Sequence, residues 1–147
     1  MSVVEVALEI DAPPEDVWDV VADPTNLPRW NRHVVSVEGV PENGLREGSR
    51  YTTHVSFMGV RAKSEANVIH LRPPEYAKVR LSGLVEGTVE TWLERRDRQR
   101  TRLRHRIDYR FKGGSLGSFA ARAVSMMGAG RLLRRGAESQ KAQAEGR

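Results

Sequence analysis

The chain has no cysteine among its 147 residues. That excludes a disulfide framework and a thiolate metal site. No apolar run approaches the roughly 18 residues of a membrane-spanning helix. The opening Met1-Ser2-Val3-Val4-Glu5 has neither the basic start nor the apolar core of a secretory signal. A soluble, cytoplasmic protein is therefore expected. Internal repeats and low-complexity stretches are absent too. Acidic residues are missing from 115 to 137, where Arg122, Arg131, Arg134 and Arg135 are basic. The net charge of +5 matters less than this uneven placement. The length suits one domain, 1–147, able to bury about 70% of its extended-chain surface.

Several reaction chemistries are missing as well. His33, His54, His70 and His105 have no metal-ligand spacing and no H-E-x-x-H motif occurs, so no metal is expected. No glycine-rich phosphate loop follows a strand, and no cofactor is expected. Gly113-Gly114-Ser115-Leu116-Gly117 matches the G-x-S-x-G elbow. That elbow needs a histidine later in the chain, and the last one is His105. Ser115 is read instead as a helix N-cap.

What is present is dominated by a hairpin over residues 84–112. Both arms alternate with period two, the mark of a half-buried strand. On the return arm Leu103, His105, Ile107, Tyr109 and Phe111 alternate with Arg100, Arg102, Arg104, Arg106, Asp108 and Arg110. The outgoing arm sets Val85, Val89 and Leu93 against Glu86, Glu90 and Glu94. Antiparallel pairing brings glutamates opposite arginines on an outer face, each pair worth about 0.2–1 kcal/mol. The inner face is apolar and needs a cover. The arginine row invites a rival reading, a face for nucleic acid or anionic lipid. The matching glutamates and the lack of an interleaved aromatic platform argue for a solvated, ion-paired face. No nucleic-acid partner is expected. A transient contact with an anionic membrane surface, shared with the basic terminal segment, stays open.

The rest of the chain supplies the cover and more strands. Val4, Val6, Leu8 and Ile10 alternate as a first strand, which Asp11-Ala12-Pro13-Pro14 stops. Pro14, Glu15 and Asp16 suit the first turn of a helix, with Val17, Trp18, Val20 and Val21 as its stripe. Residues 25–30 form a second short turn or helix. Further strands are expected over 34–40, 48–58, 61–71 and 75–83. Leu116, Phe119, Ala120, Ala123, Met127 and Leu133 recur at three- and four-residue steps, predicting a long helix over 115–137. Gly128 and Gly130 make a bend plausible there. Residues 137–147 are expected to fray.

The segments Glu9-Ile10-Asp11-Ala12-Pro13-Pro14-Glu15-Asp16-Val17-Trp18 and Asp23-Pro24-Thr25-Asn26-Leu27-Pro28-Arg29-Trp30, with the terminal helix, resemble the START-like (Bet v 1-like) superfamily. The similarity is to its polyketide cyclase/dehydrase and lipid-transport group and covers nearly the whole chain. It implies an α+β helix-grip fold: a curved antiparallel sheet of about seven strands around a long C-terminal helix, with two short helices after strand 1. It also implies an elongated apolar cavity.

The polar groups expected to face that cavity are His105, Tyr109, Thr91, Tyr51, Thr53, Ser64 and His70. Val55, Phe57, Val68, Val79, Leu81, Val89, Leu103 and Ile107 from the sheet, and Phe119, Ala123 and Met127 from the helix, complete the lining. Trp30 is placed near the entrance with Asn31, Arg32 and His33, in a packing role. A few polar groups in an apolar pocket orient a small ligand. Two functions follow: binding or transport of a hydrophobic lipid or polyketide-like aromatic, and, as the alternative, a cyclase/dehydrase with His105 and Tyr109 as acid–base groups. A third residue-level reading makes both of them hydrogen-bonded core residues.

Overall fold

The computed structural model describes residues 2–57 and 59–146, with the Phe57 side chain outside the described residues. Seven strands form one antiparallel sheet: β1 (Ser2–Ile10), β2 (Val34–Glu38), β3 (Arg50–Phe57), β4 (Val60–Arg72), β5 (Tyr76–Gly83), β6 (Val85–Asp97) and β7 (Arg100–Phe111). Their order is β1-β7-β6-β5-β4-β3-β2, a meander whose last strand pairs with the first. Helices α1 (Pro14–Val21) and α2 (Leu27–Trp30) follow β1, with a 3-10 turn at Pro24–Asn26 between them. Helices α3 (Ser115–Met127) and α4 (Ala129–Ala144) end the chain. This is the helix-grip architecture that the START-like resemblance implies.

Two-residue periodicity decides which way each strand faces. On β7, Leu103 and His105 are buried while Arg102, Arg104 and Arg106 are exposed. On β1, Val6 and Ile10 are buried between outward Glu5 and Glu9. The dry core lies at one end of the sheet, where Val6, Ile10, Val17, Leu93, Leu103 and Ala137 meet. At about 25 cal/mol per Å² of buried apolar surface, this cluster is the main local source of stability. One strand changes phase. A bulge between Val68 and His70 shifts the β4–β5 register, so His70 is exposed and not turned to the inner face as expected.

The C-terminal half departs from the sequence reading in three ways. The long helix is two helices, because Gly128 adopts φ 82°, a left-handed conformation that breaks the helical run. Ser115 is not the cap. Gly114 holds that position at φ 106° and no side chain caps the helix. The tail expected to fray over 137–147 is helical as far as Ala144, where α4 ends, and its Ala137 and Gln140 are 1% exposed. Lys141 Nζ donates to the Glu9 carbonyl at 2.8 Å and pairs with Glu145 at 2.7 Å. The Asp11 amide donates to the same Glu145 carboxylate at 2.6 Å. These contacts pin the end of the chain to the end of β1.

The outer face is ion-paired, though not only across the hairpin. Arg110 meets Glu86 at 3.4 Å, but Arg106 reaches Glu5 of β1 at 3.7 Å. Glu90 accepts the Tyr76 hydroxyl at 2.6 Å. Aromatic rings do interleave here, contrary to expectation. Tyr76 and Trp92 lie 5.6 Å apart, with Arg72 over the first ring at 5.2 Å and Arg104 over the second at 4.1 Å. The chain's own guanidinium groups thus occupy ring faces that a base would need.

Candidate functional site

The strand registers assemble the inner face row by row. One row runs Ile107, Val89, Val79, Val68 across β7 to β4. The next runs Tyr109, Gly87, Leu81, Ala66, Tyr51 across β7 to β3. Two tyrosines therefore bracket a floor of one glycine and two aliphatic residues. Four inter-strand steps put them about 19 Å apart along the sheet, and closer across its concave chord. Gly87, at φ 147°, has no side chain to fill the floor. A Cβ there would overlap the Asp108 carbonyl oxygen, so only glycine allows this approach.

Burial divides the expected lining residues into two groups. Ser64, Val68, Leu103, His105 and Ala123 are buried. Trp30, Tyr51, Thr53, Val55, Val79, Leu81, Val89, Thr91, Ile107, Tyr109, Phe119 and Met127 are only half-buried. The inner face away from the core is thus apolar but incompletely covered, and α3 touches the sheet at β7. Phe57 falls outside the described side chains. Trp30 is not on the sheet; its ring packs against Gly136 of α4, where an added Cβ would come within 3.3 Å of it.

Among the described residues no protein group bonds the Tyr51 or Tyr109 hydroxyl. Tyr109 meets Phe111 edge to face at 5.7 Å. Burial pushes the Tyr51 phenol up to about 12, so it stays a neutral donor. Thr53 donates its hydroxyl to the Ser64 carbonyl at 3.3 Å.

His105 sits at the boundary between the dry core and this open face. Its Nδ1 lies 2.9 Å from the Thr91 hydroxyl and its Nε2 2.7 Å from Gln140 Oε1. A carboxamide oxygen only accepts, so Nε2 carries the proton and Nδ1 accepts from Thr91. Burial holds the imidazole below its usual range, and the Gln140 bond partly offsets this. The ring is neutral with both nitrogens engaged. Gln140 went unnoticed in the sequence because the tail reads as polar. Yet Leu133, Ala137, Gln140 and Ala144 continue the helical stripe at three- and four-residue steps.

A separate groove of about 640 Å³ opens at the core end, lined by Trp18, Ala22, Pro24, Val40, Leu45 and Leu71 among others. None of the lining residues expected from sequence borders it. A second of about 360 Å³, beside β2, includes Val55.

Curved sheet, paired N-terminal helices and terminal helices define a START-like fold. Solved structures share it. An aromatase/cyclase from Streptomyces sp. R1128 superposes with a TM-score of 0.70 at 18% identity, covering 97% of this chain and 95% of its own. A START superfamily protein from Mycobacterium smegmatis gives 0.73 at 15% identity, with 97% of each chain covered. A conserved protein from Geobacillus kaustophilus gives 0.76 at 16% identity, over 97% and 95%. No curated protein matches the chain. The family model described as polyketide cyclase / dehydrase and lipid transport matches residues 1–145, and the chain belongs to that family.

Proposed function

We propose that the protein binds and carries a hydrophobic small molecule, a lipid or a polyketide-like aromatic, on the concave face between the sheet and α3. The observation that carries this reading is the Tyr109–Gly87–Leu81–Ala66–Tyr51 row. It is apolar, half-open, and ends in two phenols that no group among the described residues satisfies. Such a row suits an apolar body with a hydrogen-bond acceptor at each end. Native mass spectrometry of protein purified from its own host tests it directly. A co-purifying apolar compound that is lost from a Tyr51→Phe/Tyr109→Phe double variant is the expected result. Repeated recovery of ligand-free protein that also fails to take up lipids or aromatics refutes it.

The alternative is a cyclase/dehydrase-type enzyme. It is favoured by the two free phenols, since a neutral phenol can polarise a carbonyl or protonate an enolate. His105 suits it poorly as a base, because both ring nitrogens are engaged. Under this reading Tyr109→Phe abolishes turnover of a poly-β-ketone analogue and leaves its affinity within about tenfold. Loss of binding alone returns the protein to the carrier class.

A further inference from the structure

We infer that the outward faces of α3 and α4 form a docking surface for an anionic lipid bilayer, a role that stands whether or not the concave face holds a ligand. On α3 the buried side is Gly117, Ala120 and Ala123. Opposite it, Phe119, Arg122 and Met126 recur at three- and four-residue steps along one ridge. Met126 is 76% exposed, and Leu116, near the start of the helix, is 43% exposed. On α4 the exposed basic residues are Arg131, Arg134 and Arg135, with Glu138 the one exposed acidic residue of that helix. From Lys112 to Ala137 the chain holds five basic residues and no acidic one.

On β7 most of the basic row is engaged: Arg100, Arg106 and Arg110 are ion-paired and Arg104 lies on Trp92, which leaves Arg102 exposed between them. Among the described residues no ion pair or hydrogen bond engages the side chains of Lys112, Arg122, Arg131, Arg134 or Arg135. Uncompensated charge next to exposed thioether and aliphatic groups matches an interfacial helix, which buries apolar side chains among acyl chains while its cations meet lipid phosphates. Nucleic acid fits less well, since Met126 and Leu116 offer phosphates nothing and the ridge's one ring, Phe119, is half-buried.

The test is co-sedimentation of the full chain with vesicles of phosphatidylcholine alone and with roughly 30 mol% phosphatidylglycerol. Binding to the anionic vesicles only, lost as salt rises to about 0.5 M, is expected. Arg134→Gln with Arg135→Gln should lower partitioning by more than about tenfold, at about fivefold per cation. Met126→Asp should lower it by at least about fivefold, while Arg102→Gln on the outer sheet face should leave it unchanged. These side chains are exposed, so thermal melts should show all variants folded. Equal binding to both vesicle types, no binding to either, or an equal loss with Arg102→Gln overturns the proposal. So does salt-sensitive retention on an oligonucleotide without vesicle binding, which would make the surface a nucleic-acid site.

Discussion

His105 joins three elements through one ring, and its position makes it a structural sensor of pH. Burial depresses its folded-state pKa below the ordinary 6.5, so the unfolded chain takes up the proton first as pH falls. Its contribution to stability is whole above about pH 6.5 and is lost as the pH falls through the lower folded-state value. Thermal melts from pH 7.5 downward should show Tm dropping in acid, as the unfolding free energy falls by up to about 1.4 kcal/mol per pH unit from this one proton. A His105→Gln variant should lack that component. Gln140→Ala leaves the Nε2 proton buried without an acceptor and should cost about 2–3 kcal/mol in urea unfolding. The inward aim of His105 was legible in the sequence, because one-residue alternation leaves no other choice once Leu103 is core. Its partner was hidden, because a glutamine in a polar tail looks like solvent-facing helix until Leu133, Ala137 and Ala144 are counted with it.

At the scale of elements, strand and helix existence followed from periodicity, whereas the points where elements change direction did not. The β4 bulge adds one residue to one strand and leaves no mark in the alternation of Ala62, Ser64, Ala66 and Val68 before it. The break in the terminal helix was half legible, since Gly128 signals a bend but not its size. Packing between helices gives a sharper test. Gly136 faces the Trp30 ring so closely that a Cβ would sit 3.3 Å from it. Gly136→Ala gains about 1 kcal/mol of helix propensity against a contact that yields by tenths of an ångström, so little net change is expected. Gly136→Leu should cost about 1–3 kcal/mol by forcing α2 from α4, visible as a lower urea midpoint.

At the scale of the molecule, dry core and half-open face are separated along one continuous sheet. That separation predicts an unusual tolerance. Leu81→Trp in a close-packed interior should cost about 1–3 kcal/mol. In the trough between Tyr109 and Tyr51 it should lower Tm by less than about 3 °C and block uptake of an apolar fluorophore. The core end should behave in the opposite way. Truncation after Ala137 removes Gln140, Lys141 and Glu145 together. It should lower Tm by more than about 10 °C, checked by calorimetry. The overall fold was legible because strand count, short N-terminal helices and a terminal helix together admit few topologies. The open face was less so, because alternation reports which way a side chain points and not whether anything covers it.

The pairing of β1 with β7 has a consequence for synthesis. Ile10 and Val17 find their core partners only when Leu93, Leu103 and Ala137 have been made. A chain emerging from the ribosome must hold its first strand unpaired until the seventh has emerged, and the clamp on Asp11 waits for Glu145. Such distant contacts slow folding and expose apolar strand surface meanwhile. Nascent chains stalled before α4 should therefore stay protease-sensitive throughout, and protection should arrive in one late step rather than strand by strand.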